Sequence, residues 1–206
     1  MNVTLLTSTE SFTDMERFAA LAALTCHANT EKEFIPADVL KRIIKAGHES
    51  ILEHINLTYS VRGITRALLQ ELARHRHISL SVESTRHTLR KNINKDFIKA
   101  NFPYETGSYG LDYWKYVEAI HFLHIAEGNY FKNSHNDKLK YLLPEFWPTN
   151  LILTSNIREL RHILNLRTAP QALREFRDLA HELFNVVPEQ FKYLLQDCVY
   201  MEANHE

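Results

Sequence analysis

The sequence has few cysteines, few glycines and no long apolar run, and each shortage excludes a class of protein. Only two cysteines occur in 206 residues, and neither stands in a CxxC or Cys/His spacing typical of zinc sites. The five glycines form neither GxGxxG nor GxxxxGK[ST], which excludes the glycine-rich nucleotide sites of Rossmann and P-loop proteins. No stretch approaches the roughly 20 apolar residues that cross a bilayer, and the N-terminus lacks the features of a signal peptide. We therefore expect a reduced, cytoplasmic protein that does not enter a membrane.

The basic residues are unevenly distributed, although the net charge of −1 argues against a generally basic nucleic-acid binder. Of 13 arginines, 11 lie in residues 62–90 and 158–177, which contain no lysine and only four acidic residues and so carry a net charge of +7. The arginine guanidinium is planar and permanently charged, and it can bind a phosphate or carboxylate through two parallel hydrogen bonds. These two segments therefore predict a site for oriented anions, with two solvated helix faces as the alternative.

The apolar patterns predict an α+β fold that is rich in helices and has a small, mainly antiparallel sheet. Residues 55–61 alternate between apolar and polar side chains, as in a half-buried strand. Residues 91–110 contain the Gly, Pro, Asn and Ser residues typical of a loop, which we expect to be flexible within a single domain of residues 1–206. Helical spacing or capping signals predict helices after a Ser11/Asp14 capping box, over 36–46, 64–74, 111–130 and 149–166, after a Thr168/Gln171 capping box, and from Pro188.

Residues 74–87, RHRHISLSVESTRH, form the densest polar segment of the chain. Arg74, His75 and Arg76 are followed after seven residues by Ser84, and Arg86 stands two positions further on. A helix end followed by a turn could direct these groups at one phosphate, with each charge-assisted hydrogen bond contributing roughly 1.5–3 kcal/mol. By composition alone, an RNA-contacting arm is the alternative.

Arg-His-Arg, seven residues and then Ser is the signature of the flavin-dependent thymidylate synthases, and the chain resembles that family. The segments GHESILEH, upstream, and SNIRELRHILNLR, downstream, match the family in order and spacing. The resemblance runs from about Gly47 to the end and is weakest over residues 91–135. It implies methylation of dUMP to dTMP, with methylenetetrahydrofolate as carbon donor, FAD as hydride carrier and NADPH as reductant.

The resemblance also implies site residues by motif position. Arg167 is implied to be catalytic, because a fixed cation at the uracil edge favours loss of the imide proton in a dry site. The residues implied to bind dUMP are Glu71, Arg74, Glu83, Ser84, Thr85, Arg86, Lys140 and Arg167. Those implied to bind FAD are His48, Ser50, Arg74, His75, Arg76, Asn156, Arg158 and His162.

We expect no cysteine nucleophile. Cys26 and Cys198 stand in apolar helical patterns far from the motif in sequence, so we interpret both as core residues. Ser84 is interpreted as a binding residue, since no Ser-His-carboxylate arrangement is evident and direct hydride reduction needs no covalent adduct.

One predicted helix carries site residues on opposite faces. Arg158, His162 and Asn165 share one face, whereas Arg167 points nearly the other way. A single copy is unlikely to use both faces in one site unless the helix ends between them. The resemblance implies a homotetramer whose active sites are assembled from several chains, and we expect a monomer to be inactive.

Three positions depart from the commoner family pattern. Val82 replaces a polar ligand contact, His87 replaces a frequent tyrosine, and Lys140 replaces an arginine that often binds the dUMP phosphate. Lysine keeps the charge of arginine and loses its two-pronged geometry. These departures concern ligand affinity and leave Arg74 and Arg167 in place.

Two other functions are compatible with parts of the sequence, and a third, metal catalysis, is not expected. A nucleic-acid-binding module would use the same arginines, and a relative that binds flavin without turnover is suggested by Val82. A metal site is not expected, because His54 stands at i+6 from His48 rather than i+4, and the pair His121 and His124 lacks an evident acidic partner.

Overall fold

A computed structural model of the chain describes residues 1–26, 28, 33–102, 110–128 and 136–200. Helices outnumber strands in this part of the chain. The helices are α1 Thr9–Thr25, α2 Pro36–Lys45, α3 Arg66–Leu72, α4 Thr85–Asn92, α5 Lys95–Asn101, α6 Leu111–Glu127, α7 Asn136–Leu139, α8 Ile157–Arg167 and α9 Arg174–Asn185. Shorter 3₁₀ segments cover Glu49–His54, Lys140–Leu142, Glu189–Leu194 and Gln196–Cys198. The strands are β1 Asn2–Leu5, β2 Asn56–Thr65, β3 Ile78–Val82 and β4 Pro148–Asn156.

The four strands form one sheet in the order β1-β2-β4-β3. β1 runs antiparallel to β2, with Val3 opposite Val61 and Leu5 opposite Tyr59. Side chains alternate along β2, so that its buried residues share one face of the sheet. The predicted helix-rich α+β class with a small sheet is confirmed.

The described residues divide into two compact units. The first comprises Met1–Arg62, Glu71–Ser81 and Leu151–Glu206, and the second comprises Gly63–Gln70 and Val82–Asn150. The single-domain assignment of residues 1–206 stays a prediction. No helix in the described ranges is both long enough and apolar enough to cross a bilayer.

The core of the first unit forms where amphipathic helices cover the sheet. In α9 the apolar side chains recur at helical spacing, and Phe176, Leu179 and Leu183 are fully buried. Phe12 of α1 stacks on Phe191, with ring centroids 3.9 Å apart. α9 also packs against α8, the helix on which most of the candidate site is built.

The second unit has a separate apolar core. Trp147 is its centre: the ring contacts Phe97, Phe102 and Phe122, with centroid separations of 5.4, 5.5 and 5.3 Å. Leu89 of α4 belongs to the same cluster. α4, which begins just after Ser84, is therefore anchored to this core through Leu89.

Several predicted elements are confirmed and others are wrong. The Pro36 helix and the 55–61 strand are confirmed, because Pro36 occupies the first turn of α2 and Gly47, at φ +73°, follows its end. The predicted 149–166 helix is wrong in its first half, which is strand β4. There the burial alternates with period two, so the segment lies in the sheet until the Asn156 cap starts α8.

Both predicted capping boxes are also wrong. Ser8, rather than Ser11, caps α1, and it accepts a hydrogen bond from the Ser11 backbone N–H at 3.1 Å. Thr168 ends α8 instead of starting a helix, because its hydroxyl donates to the Leu164 carbonyl at 2.7 Å. The helix after it begins later, at Arg174.

The loop and cysteine interpretations need correction as well. Residues Lys95–Asn101, predicted as part of a flexible loop, form helix α5, because Asn94 caps it and Ile98 is buried in the second core. Residues 103–109 lie outside the described residues. Cys26 is exposed and Cys198 is half-buried, so neither is a core residue.

Candidate functional site

Helix α8 positions the candidate site in the first unit. Its first turn is capped by Asn156, whose side-chain oxygen accepts from the Glu159 backbone N–H at 2.8 Å. Ile157, Leu160 and Ile163 are fully buried and fix the helix rotation. Arg158, His162 and Asn165, which the sequence predicts on one face, line one cleft, whereas Arg167 lines another, to which His162 also contributes.

One face of α8 lines an open cleft of about 610 Å³, which we call the Arg158 cleft. Half-exposed Arg158 donates to Glu53 Oε1 at 2.5 Å, so an incoming anion would compete with this carboxylate. The N-terminus of α8 adds the partial positive charge of its free N–H groups. The lining residues are Glu49, Glu53, His77, Asn156, Arg158, Glu159, Arg161, His162, Asn165 and Cys198.

The GHESILEH segment forms a 3₁₀ turn beside this cleft. Glu49 and Glu53 line the cleft, whereas the predicted FAD contacts His48 and Ser50 are exposed and do not belong to its lining in the described part of the chain. Gly47 is in the left-handed region, so a side chain there would be strained whatever the space around it. The chain therefore requires a glycine at position 47 to pass from the end of α2 into the 3₁₀ segment.

Buried Arg161 ties the 3₁₀ turn and the C-terminal segment to α8. Its Nε donates to Glu49 Oε1 at 3.0 Å, and its two terminal nitrogens donate to Asp197 at 2.6 and 2.7 Å. Nη1 also donates to the Leu194 carbonyl at 2.6 Å. Burial is the largest single influence on Arg161 and opposes its charge, but the hydrogen bond to Asp197 together with the nearby charges of Asp197 and Glu49 outweighs it and raises the pKa of the guanidinium.

We expect Arg161→Met to lower the free energy of unfolding by about 2 kcal/mol, because it leaves a buried carbonyl and two carboxylates without their donor. Urea unfolding of wild type and variant at pH 7 measures this difference. Arg158→Met is the matched control, since Arg158 is 52% exposed and its ion pair with Glu53 should contribute roughly 0–1 kcal/mol.

The pH dependence of the same variant follows from Asp197. The hydrogen bond from Arg161 lowers the pKa of Asp197, so its stabilisation is full above the unfolded pKa of about 4 and disappears as acid protonates the carboxylate. The difference between wild type and Arg161→Met should therefore shrink below about pH 4. Equal losses for Arg161→Met and Arg158→Met at pH 7 would contradict this account.

Cys198 lies at the Arg158 cleft, close to the site rather than far from it. Its sulfur is 3.8 Å from Asp197 Oδ1, and burial raises the pKa of the thiol to about 11. The neighbouring carboxylate acts in the same direction. A thiol that stays protonated at neutral pH is a poor nucleophile.

The next face of α8 lines a second open cleft of about 510 Å³, which we call the Arg167 cleft. It brings the Arg-His-Arg motif together with Arg167, as the resemblance implies. Exposed Arg74 and Arg76 lie on its rim, and buried His75 lies between them in sequence. The lining residues are Glu71, Arg74, His75, Arg76, His77, Glu159, His162, Leu166 and Arg167.

Arg167 is held by three contacts. Its guanidinium carbon lies 4.6 Å from the ring centroid of fully buried Phe176, a cation–π contact. Nη1 donates to Glu71 Oε2 at 3.4 Å, and Nε donates to His75 Nε2 at 3.2 Å. Nη2 has no protein acceptor in the described part of the chain, so one arm of the fork is left for a ligand.

His75 contacts Glu159 as well as Arg167. Its Nδ1 lies 3.1 Å from Glu159 Oε1. Burial lowers the pKa of His75, and the Arg167 guanidinium adds to the shift, although the hydrogen bond that His75 donates to Glu159 opposes it. The contact with Arg167 agrees with a neutral ring, because a guanidinium N–H can only donate and His75 Nε2 must therefore accept.

The ligand atoms of His75, Glu159 and His162 all lie within 4.8 Å of one another, a spacing that a metal ion can use. Both ring nitrogens of His75 are already engaged, by Glu159 and by Arg167. A metal ion would have to displace the Arg167 guanidinium or bind beside its positive charge. The expectation of no metal stays a prediction.

The remaining predicted dUMP residues lie in the second unit. Ser84 caps α4 and its side chain makes no capping hydrogen bond. Arg86 forms a two-pronged ion pair with Asp137, with distances of 2.7 and 3.2 Å, and both side chains are more than half exposed. Glu83 accepts from Asn150 at 2.6 Å, and Thr85 lines a small cavity. Lys140 is exposed in a 3₁₀ turn.

Eight residues that line the clefts were not predicted as site residues: Glu49, Glu53, His77, Glu159, Arg161, Asn165, Leu166 and Cys198. His77 and Glu159 line both clefts. Glu53, His77 and Glu159 lie inside the matched motifs. The spacing of the motifs does not predict that Glu159 contacts His75, because 84 positions separate the two residues in the sequence.

The fold and the two clefts define an α+β protein whose candidate site is lined by arginine, histidine and glutamate side chains and has no glycine-rich nucleotide-binding turn. A family model described as thymidylate synthase complementing protein matches residues 4–191. A flavin-dependent thymidylate synthase of Campylobacter jejuni is 37% identical over 190 residues, which cover 88% of this chain and 91% of that relative. The chain therefore belongs to the flavin-dependent thymidylate synthase family, and it is an enzyme of that class.

Solved structures agree with this assignment. Thymidylate synthase X from Helicobacter pylori, crystallised with FAD and dUMP, matches with a TM-score of 0.82 and 29% identity, covering 98% of this chain and 100% of that chain. A UMP/dUMP methylase, PolB, from Streptomyces cacaoi matches with a TM-score of 0.63 and 21% identity, covering 89% and 88%. The second match shows the fold alone.

Proposed function

We propose that the protein converts dUMP to dTMP by reductive methylation, with methylenetetrahydrofolate as carbon donor, FAD as hydride carrier and NADPH as reductant. The observation that carries the proposal is Arg167, a fixed cation with one free arm in the cleft that holds the Arg-His-Arg motif. The H. pylori relative of the same fold binds FAD and dUMP.

The residues of the Arg158 cleft fit a flavin nucleotide. Its pyrophosphate carries two negative charges, which suit Arg158 and the Asn156-capped N-terminus of α8. FAD, when bound, supplies the hydride chemistry, and the protein binds and orients it. The proposed FAD contacts are Asn156, Arg158 and His162 in this cleft, Arg74, His75 and Arg76 in the Arg167 cleft, and His48 and Ser50 at the neighbouring 3₁₀ turn.

The proposed role of Arg167 is to stabilise the uracil ring as its imide proton leaves. A fixed guanidinium can donate hydrogen bonds to the anionic ring and stabilise its negative charge. In the first unit the proposed dUMP contacts are Glu71, Arg74 and Arg167. In the second unit they are Glu83, Ser84, Thr85, Arg86 and Lys140, of which Arg86 would exchange Asp137 for phosphate.

We propose a mechanism without a cysteine nucleophile. Burial keeps Cys198 protonated, because it raises the pKa of the thiol to about 11. Cys26 lies just past the end of α1 and is not among the residues that line either cleft in the described ranges. Hydride addition would then replace the covalent adduct.

The two faces of α8 support a homotetramer with shared sites. α8 is continuous from Ile157 to Arg167, so it does not end between Arg158 and Arg167. The two arginines line different clefts of the first unit. A site that needs both is completed if one chain supplies Arg158 and another supplies Arg167. We further propose a cytoplasmic location and no nucleic-acid partner.

The direct test is the visible absorption spectrum of purified protein that is loaded with FAD and titrated with dUMP. A bound-flavin spectrum that dUMP perturbs is the expected result, because both ligands would share one site. Deoxyuridine is the control: without a phosphate for the arginines, it should need a concentration at least about 100-fold higher for the same change. Salt-sensitive RNA binding without flavin uptake would instead indicate a nucleic-acid-binding module. Flavin and dUMP binding without dTMP would indicate an inactive relative.

A further inference from the structure

We propose that Glu159 is a positioning residue: through a hydrogen bond it fixes the ring tautomer of His75, which in turn orients the guanidinium of Arg167. The inference rests on the proposed function for the role of Arg167. It adds an acidic residue that the motif resemblance does not assign.

The tautomer follows from the donors and acceptors. A guanidinium Nε–H can only donate, so His75 Nε2, 3.2 Å away, must accept and carry no proton. The single proton of the neutral ring is then on Nδ1, from which it is donated to Glu159 Oε1 at 3.1 Å. The three groups thus form one chain of hydrogen bonds with a single direction.

The environment makes this chain rigid. His75 and Glu159 are 6% and 7% exposed, so water competes little for their hydrogen bonds. Phe176 packs edge-on against His75, with centroids 5.7 Å apart, and its face contacts the Arg167 guanidinium. Glu159 is itself fixed, because its backbone N–H is capped by Asn156. Glu159, near the N-terminal end of α8, therefore helps to orient the side chain of Arg167 at the C-terminal end of the same helix, through His75.

Without Glu159, Nδ1 loses the one acceptor that it has among the described residues. The other neutral tautomer places the proton on Nε2, where it would face the Arg167 Nε–H donor directly. That arrangement has two donors and no acceptor, so Arg167 would have to move away. A small displacement of a charge-stabilising group is costly for catalysis, since about 1 Å can lower the rate 100-fold.

Two substitutions at Glu159 separate the hydrogen bond from packing. Glu159→Leu removes the acceptor and keeps much of the volume, and we expect kcat for dTMP formation to fall roughly 10–100-fold with KM for dUMP changed less than about threefold. Glu159→Gln keeps an oxygen that can accept from Nδ1–H, and should retain kcat within about threefold. Glu182→Gln, on the exposed side of α9, is the control for removing one carboxylate.

A double-mutant cycle tests whether Glu159 acts through His75. If it does, His75→Leu combined with Glu159→Leu should lower kcat no further than His75→Leu alone. Independent, multiplying losses would overturn the proposal. Bound flavin per chain is measured for each variant, so that turnover is compared among folded, loaded proteins.

The tautomer itself is read by solid-state nitrogen-15 NMR of protein with ring-labelled histidine, with the His75 signals identified by their loss in His75→Leu. Wild type and Glu159→Gln should show His75 protonated at Nδ1 and bare at Nε2, and Glu159→Leu should lose this pattern. Turnover by a wild type whose His75 is protonated at Nε2 would overturn the inference and keep the proposed function. The Nδ1 tautomer without any dTMP formation would overturn the proposed function and keep the hydrogen-bond chain.

Discussion

Replacing Arg167 with alanine is expected to lower dTMP formation about 1,000-fold while the protein still binds flavin. A preorganised donor at a developing negative charge contributes roughly 100- to 1,000-fold in rate. Arg167 is well suited to this role, because Phe176, Glu71 and His75 fix its guanidinium before any ligand binds. A group that needs no reorganisation stabilises the anionic ring from the moment it forms.

The measurement is single-turnover dTMP formation with flavin-loaded protein, so that cofactor loss is not mistaken for lost chemistry. Arg167→Lys should recover part of the rate, since lysine keeps the charge and loses the fork that contacts both Glu71 and His75. Arg174→Ala, at an exposed position in the first turn of α9, is the control for removing an arginine nearby. Turnover of Arg167→Ala near that of wild type would exclude Arg167 from the mechanism.

The local signals in the sequence predict elements well where one residue decides the backbone. Pro36 and Gly47 bound α2 almost to the residue, because each restricts or permits a particular φ. β4 was predicted as helix, because Leu151 and Leu153 stand in a segment that runs directly into α8. The alternation of buried and exposed side chains in β4 is established by its pairing with β2 and β3, and this pairing cannot be read from the local sequence.

For the candidate site, too, the local sequence predicts some residues, and contacts between distant parts of the chain are missed. The clustering of arginines and the Arg-His-Arg motif predict which side chains are chemically important, and the structure brings Arg74, His75 and Arg167 to one cleft. Partners that support them were missed, because they lie far away in the chain. Arg161 meets Asp197 across 36 residues, and His75 meets Glu159 across 84. Such contacts depend on how α8 packs in the folded protein, and the spacing of residues in the sequence does not predict this packing.

The position of Arg158 and Arg167 on one uninterrupted helix leads to a second prediction, which concerns the recovery of activity in mixed oligomers. If each active site takes Arg158 from one subunit and Arg167 from another, Arg158→Ala and Arg167→Ala proteins are each inactive but should complement each other. In oligomers reassembled from an equal mixture, about one quarter of the sites would receive both native arginines, since each is supplied independently. Activity should therefore rise from near zero to roughly a quarter of the wild-type value.

The experiment unfolds the two variants together in denaturant, refolds them with FAD, and compares dTMP formation with that of each variant refolded alone. Mixing without unfolding is the control, because intact oligomers that do not exchange subunits should stay inactive. A double variant carrying both substitutions, refolded with wild type, should lose activity in the sites it enters and rescue none. If one chain supplied both arginines to a site, every site in the Arg158→Ala and Arg167→Ala mixture would lack one of them, and no activity would return. The continuous helix from Ile157 to Arg167 would then have to serve both clefts within a single subunit.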